Sequence, residues 1–198
     1  LTDYAGVEVE VRAIASGGFG LVAFGPCRLG KKMRALKTIR PEVLRRGPHI
    51  RELFIREGLT WRGVWPHANV VIAQFVTEIN GLPFLVLDYA EQGALRRYIR
   101  PGLAAEQAFT WAQHIAAGMA HLHTPDPDHL RPDPIIHRDL KPDNILLRNL
   151  GEVVPFAQIT DFGLAKTQAA VAQAEAVADG EDEEGTAQDN TRSQRYHT

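Results

Sequence analysis

The stretch from Ile135 to Leu147 reads IIHRDLKPDNILL, and it decides the interpretation of the whole chain. An apolar pair and an apolar strand enclose a polar loop that carries Asp139, Lys141 and Asn144. The loop has the right length to direct these three side chains, an acid, a base and an amide, into the same cleft. This pattern predicts a catalytic loop, because such groups perform proton transfer and charge stabilisation when they are held together.

A second polar motif lies further along the chain, where Asp161 to Gly163 reads DFG after the apolar strand end at Ile159. A carboxylate is a suitable ligand for a hard cation such as Mg²⁺. An isolated DFG tripeptide is also typical of a simple turn. The interpretation of Asp161 as a metal ligand therefore depends on the order of the two motifs and not on the tripeptide alone.

The pattern around these motifs predicts two unequal parts. Before residue 90, strand-like runs include residues 34–39 and the segments 69–76 and 82–89, which flank the hairpin turn Asn80-Gly81; one helix is expected at 49–62. From Leu103 to His123 the apolar residues have helical spacing, which predicts a long core helix. We therefore expect an α+β protein with a strand-rich first lobe containing one helix, followed by a more helical lobe.

Composition excludes several classes of protein. The chain has 198 residues, 44% of them hydrophobic, and its net charge of −2 gives no electrostatic argument for binding nucleic acid or an anionic membrane. Its single cysteine allows neither an internal disulfide nor a cysteine-rich zinc cage. No apolar run is long enough to span a bilayer. These features favour a reducing, intracellular (cytoplasmic) setting.

Five motifs in the expected order resemble the protein kinase superfamily, over roughly residues 7 to 166. The resemblance implies a two-lobed kinase fold with an N-lobe at 1–90, part of a C-lobe at 91–166, and part of a mobile activation segment at 167–198. It implies that Asp139 orients the proton of the attacking hydroxyl, that Lys141 neutralises charge on the γ-phosphoryl of ATP, and that Asn144 and Asp161 hold Mg²⁺.

The resemblance extends to the nucleotide-binding elements of the first lobe. The segment IASGGFGLV is similar to a kinase glycine loop, with alanine at the position of the usual first glycine, although a glycine cluster is also typical of plain hairpins. The segment's implied nucleotide-binding residues are Ile14, Ala15, Ser16, Gly17, Gly18, Phe19, Gly20 and Val22.

Lys37, which follows Ala35 on the third predicted strand, resembles the kinase lysine that binds the α- and β-phosphates. Its implied glutamate partner is Glu57 rather than Glu52, because Glu57 lies beside the apolar face of the predicted helix. The remaining residues implied to surround the adenine are Ala35, the gatekeeper Leu87, the backbone of Asp88 and Ala90, and Leu146.

The resemblance implies a protein Ser/Thr kinase with a hydroxyl-bearing protein substrate, and Lys141 favours Ser/Thr over Tyr. Two alternatives remain: a pseudokinase or nucleotide-binding interaction module without turnover, and a small-molecule kinase of the aminoglycoside phosphotransferase type. Intact Lys37, Asp139 and Asp161 argue against the first, while Arg138 and Lys141 argue against the second. No APE motif follows DFG, so we expect a fragment or a truncated kinase. The sequence does not identify regulatory partners.

Overall fold

Antiparallel β-sheets organise the part of the chain that the computed structural model describes, namely residues 9–16, 20–27, 31–125, 134–149, 151 and 154–162. A five-stranded sheet has the order β1-β2-β3-β5-β4, and a three-stranded sheet has the order β6-β7-β8. The strands of the first sheet are β1 (Ala13–Ser16), β2 (Gly20–Pro26), β3 (Met33–Ile39), β4 (Ala73–Ile79) and β5 (Leu82–Asp88). Those of the second sheet are β6 (Gly93–Ala94), β7 (Ile145–Arg148) and β8 (Phe156–Ile159).

The predicted hairpin at Asn80-Gly81 joins β4 to β5. Both residues have positive φ angles, 51° and 79°, as a tight turn between antiparallel strands requires. The strand before this turn is shorter than predicted, because β4 begins at Ala73 and not at Asn69. The chain from Asn69 to Val71 instead contacts β8: the Ile159 amide donates to the Asn69 carbonyl at 2.8 Å, and the Val71 amide donates to the Ile159 carbonyl at 2.9 Å.

Three α-helices occur in the described residues: α1 (Pro41–Arg46), α2 (Pro48–Arg62) and α3 (Ala105–His123). The prediction of a single helix in the first lobe was wrong, because α1 precedes α2. Six residues are too few to show helical periodicity. The signal that was available is Pro41 at the first position of the helix, where proline's fixed φ is favourable and its missing N–H costs nothing.

A continuous apolar core connects the two parts of the fold. Phe54 and Trp61 of α2, Leu85 of β5, Leu122 of α3 and Ile159 of β8 are all essentially fully buried members of one cluster. The predicted α+β class, with a strand-rich first lobe and a second lobe containing a long helix, is confirmed. No helix among the described residues is both long and apolar enough to cross a membrane. The predicted mobile segment at 167–198 lies outside the described residues.

Candidate active site

His137 fixes the conformation of the polar loop. It is 2% exposed, its Nδ1 accepts the Asp139 amide at 3.3 Å, and its Nε2 lies 3.0 Å from the Thr160 carbonyl. A ring that accepts at Nδ1 and donates at Nε2 is neutral, and burial accordingly lowers its pKa. His137 therefore links the loop to the residue preceding Asp161 without adding a charge.

Asp139 lies at the centre of the loop's side-chain network. Lys141 Nζ contacts both of its carboxylate oxygens, at 2.8 and 3.0 Å, and Asn144 Nδ2 donates to Oδ2 at 2.9 Å. The hydrogen bond from Lys141 is the main cause that lowers the pKa of Asp139, with a smaller contribution from Asn144, while desolvation opposes both. The carboxylate consequently stays ionised and able to accept a proton at neutral pH.

The backbone of Thr160 connects this loop to the DFG segment. Its amide donates to the Asn144 carbonyl at 3.0 Å, and its carbonyl accepts from His137. Asp161 follows directly, with a φ of 64° that few non-glycine residues adopt. Its Oδ2 lies 2.6 Å from Lys37 Nζ. The two motifs that are separate in sequence are therefore adjacent in space, with Lys37 of β3 beside them.

Phe162 and Glu57 occupy the space between α2 and this site. Phe162 is fully buried and its ring packs against Trp61 with a centroid distance of 4.5 Å, so it points toward the core. Glu57 is buried on the same side of α2 as Phe54 and Trp61, whereas Glu52 is exposed. This burial agrees with the choice of Glu57 over Glu52, and the pairing of Glu57 with Lys37 stays a prediction.

The predicted glycine loop is described only at its two ends. Ile14, Ala15 and Ser16 are exposed on β1, while Gly17, Gly18 and Phe19 lie outside the described residues. Ala15 pairs with Val22 across the hairpin. Gly20 is required at its position, because a Cβ atom there would lie 2.1 Å from the Thr38 carbonyl oxygen of β3.

The residues predicted to surround the adenine come from both sheets. Ala35 and Lys37 lie on one face of β3, since side chains alternate along a strand, and Ala35 is the register partner of Leu87 on β5. Leu87 and Ala90 are buried. Leu146 is half-buried on β7 in the second sheet. Asp88, the last residue of β5, precedes the segment that leads from one sheet to the other.

A separate cavity lies on the opposite face of the five-stranded sheet. It has a volume of about 1150 Å³, and its lining includes Leu21, Leu36, Thr38 and Phe84. Leu36 and Thr38 alternate with Ala35 and Lys37 along β3 and therefore point away from the predicted site. Among the described residues predicted to bind the nucleotide, Ile14 of β1 alone also lines this cavity.

The donor set for a metal consists of one carboxylate and one amide. Within the described ranges, no group of three or more His, Cys, Asp or Glu side chains could hold a metal ion by itself. The amide nitrogen of Asn144 donates to Asp139, so the amide oxygen of Asn144 is the atom that could bind a metal ion. Asp161 supplies a carboxylate. Such a set fits Mg²⁺, which usually retains waters and takes its other ligands from phosphate oxygens.

The sequence interpretation missed two residues that assemble this site. Asn69 is buried, and its Nδ2 donates to the Ala157 carbonyl at 3.1 Å, which ties the loop after α2 to β8. Thr160 joins the two motifs through its backbone, and a backbone contact leaves little trace in sequence. The available signal for Asn69 was a lone polar residue beside a run of apolar ones.

Comparisons with known proteins agree with this geometry. The protein kinase domain family matches residues 9–182. Inhibitor of nuclear factor kappa-B kinase subunit beta from Rattus norvegicus is 34% identical over 176 residues, which are 83% of this chain and 22% of that protein. Mitogen-activated protein kinase kinase kinase 7 from Bos taurus is 34% identical over 168 residues, 82% of this chain and 26% of that protein.

U-box domain-containing protein 34 from Arabidopsis thaliana is 34% identical over 161 residues, 78% of this chain and 18% of that protein. The chain thus spans about a quarter or less of the length of these relatives. It belongs to the protein kinase family, which confirms the predicted class.

Proposed function

We propose that this chain carries the phosphoryl-transfer site of an ATP-dependent protein Ser/Thr kinase, which moves the γ-phosphoryl group of Mg-ATP to Ser or Thr hydroxyls of a protein. The observation that carries the proposal is the pair of hydrogen bonds at the Thr160 backbone, whose amide donates to the Asn144 carbonyl and whose carbonyl accepts from the His137 side chain. They hold the loop with Asp139 and Asn144 against the segment with Asp161. The proposed proton acceptor and the two proposed metal ligands, an amide oxygen and a carboxylate, would therefore lie in one cleft.

The proposed nucleotide site lies between the two sheets. Val22 and Ala35 would cover one side of the adenine and Leu146 the other, while the backbone of Asp88 and Ala90 would bind its polar edge. Backbone groups suit this task because they stay in place whatever side chain they carry. Lys37 would bind the α- and β-phosphates, and the buried carboxylate of Glu57 lies on the helix behind it.

Asp139 is the proposed acceptor for the proton of the attacking hydroxyl. Its lowered pKa keeps it ionised, and its bonds to Asn144 and Lys141 hold the carboxylate in one orientation. Lys141, which is half-exposed, would also place a positive charge beside the transferring phosphoryl group. The lysine two positions after the aspartate supports Ser/Thr rather than Tyr specificity.

Asp161 and Asn144 are the proposed ligands of Mg²⁺. When it is bound, the metal neutralises negative charge on the phosphate oxygens. The contact between Lys37 and Asp161 places this carboxylate next to the proposed phosphate-binding cation. We retain the division into an N-lobe at 1–90, C-lobe residues at 91–166 and an activation segment at 167–198 as part of the proposal.

The test is ATP turnover by the longest natural form of the protein, with a generic Ser/Thr protein substrate and Mg²⁺. Asp139→Asn should lower kcat by roughly 10²-fold or more, because it removes the proton acceptor, and should leave ATP binding nearly unchanged. Asp143→Asn is the matched control: it makes the same chemical change in the same loop, at an exposed residue whose partner is Arg96 at 3.3 Å.

We expect Asp143→Asn to keep wild-type turnover. Equal turnover by the wild type and Asp139→Asn would refute the assigned role of Asp139. ATP binding without any turnover by the wild type would instead favour the alternative of a nucleotide-binding interaction module. Phosphorylation confined to tyrosine would overturn the proposed specificity and leave the reaction class intact.

A further inference from the structure

The carboxylate of Asp88 binds donors from three different strands. Arg34 Nη1 of β3 donates to Oδ1 at 2.6 Å, and Gln74 Nε2 of β4 donates to the same oxygen at 2.8 Å. Arg148 Nη1 of β7 donates to Oδ2 at 3.3 Å. The Asp88 side chain is only 12% exposed, so these contacts are largely shielded from water. A shielded carboxylate with this many donors is fixed in position.

These three donors do not belong to the same sheet. Arg34 and Gln74 lie on the five-stranded sheet with Asp88 itself, whereas Arg148 lies on the three-stranded sheet. The contact between Asp88 and Arg148 is therefore a link between the two sheets. It lies where the chain leaves β5, and the Gln92 amide of the following segment donates to the Leu147 carbonyl of β7 at 3.1 Å.

The position of this link allows it to set the distance between the two walls of the proposed nucleotide site. Arg34 is three residues before Lys37 on β3, which supplies one wall, and Arg148 is two residues after Leu146 on β7, which supplies the other. Because both arginines bind one carboxylate, the two walls have a common anchor. The backbone of Asp88 is itself proposed to bind the adenine.

We propose that the Asp88–Arg148 ion pair is a positioning link that holds β7 at a fixed distance from β3 and thereby sets the affinity for ATP. This inference rests on the proposed function, since it concerns the same cleft. Arg148 is a positioning residue and takes no part in the chemistry. Its loss should consequently raise KM for ATP and change kcat much less.

Arg148 is the selective place to break the link. Removing Asp88 would leave the guanidinium groups of Arg34 and Arg148 close together without their shared anion, so it would add repulsion to the loss of the contact. Arg148→Gln removes only the contact between sheets and keeps the shorter pair of Arg34 with Asp88. Arg34→Gln does the opposite, since it removes a pair within one sheet and keeps the contact between sheets.

The experiment compares these two variants with Arg148→Lys in the longest natural form of the protein. Arg148→Gln should raise KM for ATP about three- to tenfold with kcat within about twofold of wild type, the range expected for one partly buried contact that acts at a distance. Arg148→Lys keeps a cation near Oδ2 and should recover most of the affinity. Arg34→Gln breaks the shorter pair, so it should lower the unfolding temperature more, yet raise KM less.

A nucleotide-free measurement separates this inference from the proposed function. Hydrogen exchange at the Gln92 amide reports on the junction with β7, and it should be about tenfold faster in Arg148→Gln and unchanged in Arg34→Gln. Equal KM values for wild type and Arg148→Gln, or a larger rise in Arg34→Gln, would overturn the positioning role. If the wild type fails to bind ATP, the proposed function is refuted, and unchanged exchange at Gln92 would refute the link independently.

Discussion

Gly118 and Gly58 are both interior glycines of long helices, but their surroundings differ. A Cβ atom on Gly118 of α3 would lie 2.7 Å from the Asn69 carbonyl oxygen and 2.8 Å from Ile159 Cδ1. A Cβ atom on Gly58 of α2 would lie 2.9 Å from Val76 Cγ2, the methyl of a half-buried side chain. Substitution of each glycine by alanine therefore tests how much the close packing of α3 against Asn69 and Ile159 contributes to stability.

Two opposing free energies decide the outcome. Each Gly→Ala change gains about 1 kcal/mol of helix propensity. At Gly118 the new methyl group meets a backbone carbonyl that is held by the Ile159 amide at 2.8 Å, so overpacking should cost about 1–3 kcal/mol. At Gly58 the new methyl group meets a methyl of the half-buried Val76 side chain, which can shift more easily than a bonded backbone carbonyl, so the cost should be below about 1 kcal/mol. Gly118→Ala should accordingly be less stable than Gly58→Ala by roughly 1–2 kcal/mol.

Urea unfolding of both variants measures this difference, and the midpoints should be compared only if the m-values agree. Gly118→Ala should also lower turnover, because Asn69 and Ile159 position the segment that ends at Asp161. Equal unfolding free energies for the two variants would refute the packing argument. A stabilised Gly118→Ala would show that α3 can shift away from Asn69 at little cost.

Two further predictions concern pH. Lys141→Met removes the main cause that lowers the pKa of Asp139, so the acid limb of the kcat/KM profile should move to higher pH; an unmoved limb would contradict the role of Lys141. Burial lowers the pKa of His67, His114 and His137 below 6.5, so the unfolded chain binds more protons as pH falls through that value. The unfolding temperature should therefore fall between about pH 7 and 5.5, and a constant temperature over this range would contradict the neutral burial of these rings.

The proposed catalytic loop could be predicted from sequence because its interactions are local. Asp139, Lys141 and Asn144 lie within six positions of one another, and the structure joins them by direct contacts. The hairpin at Asn80-Gly81 was equally predictable, since the turn geometry requires those residue types. In each case the interaction that determines the structure lies inside the segment that was interpreted.

Apart from the short helix α1, the sequence interpretation failed where the structure depends on distant residues. Val70 and Val71 are apolar enough to extend β4, yet the backbone of residues 69–71 bonds to β8, about 90 positions away in the chain. The contact of Lys37 with Asp161 was also not foreseen, because helical periodicity could point only to the glutamates of α2. Periodicity shows which face of an element is buried, but it does not show what covers that face.

The same distinction explains why the proposed activity depends on residues far from the reacting groups. Lys37 belongs to the first sheet, while Asp139 and Asn144 belong to the loop beside the second. Their relative positions depend on the connections between these parts, including the Trp61–Phe162 contact, the bonds of residues 69–71 to β8 and the Asp88–Arg148 link. A change at any one of these connections can misplace an intact set of the proposed catalytic side chains. The motifs therefore define the proposed chemistry, whereas the contacts between the sheets would determine how effectively it proceeds.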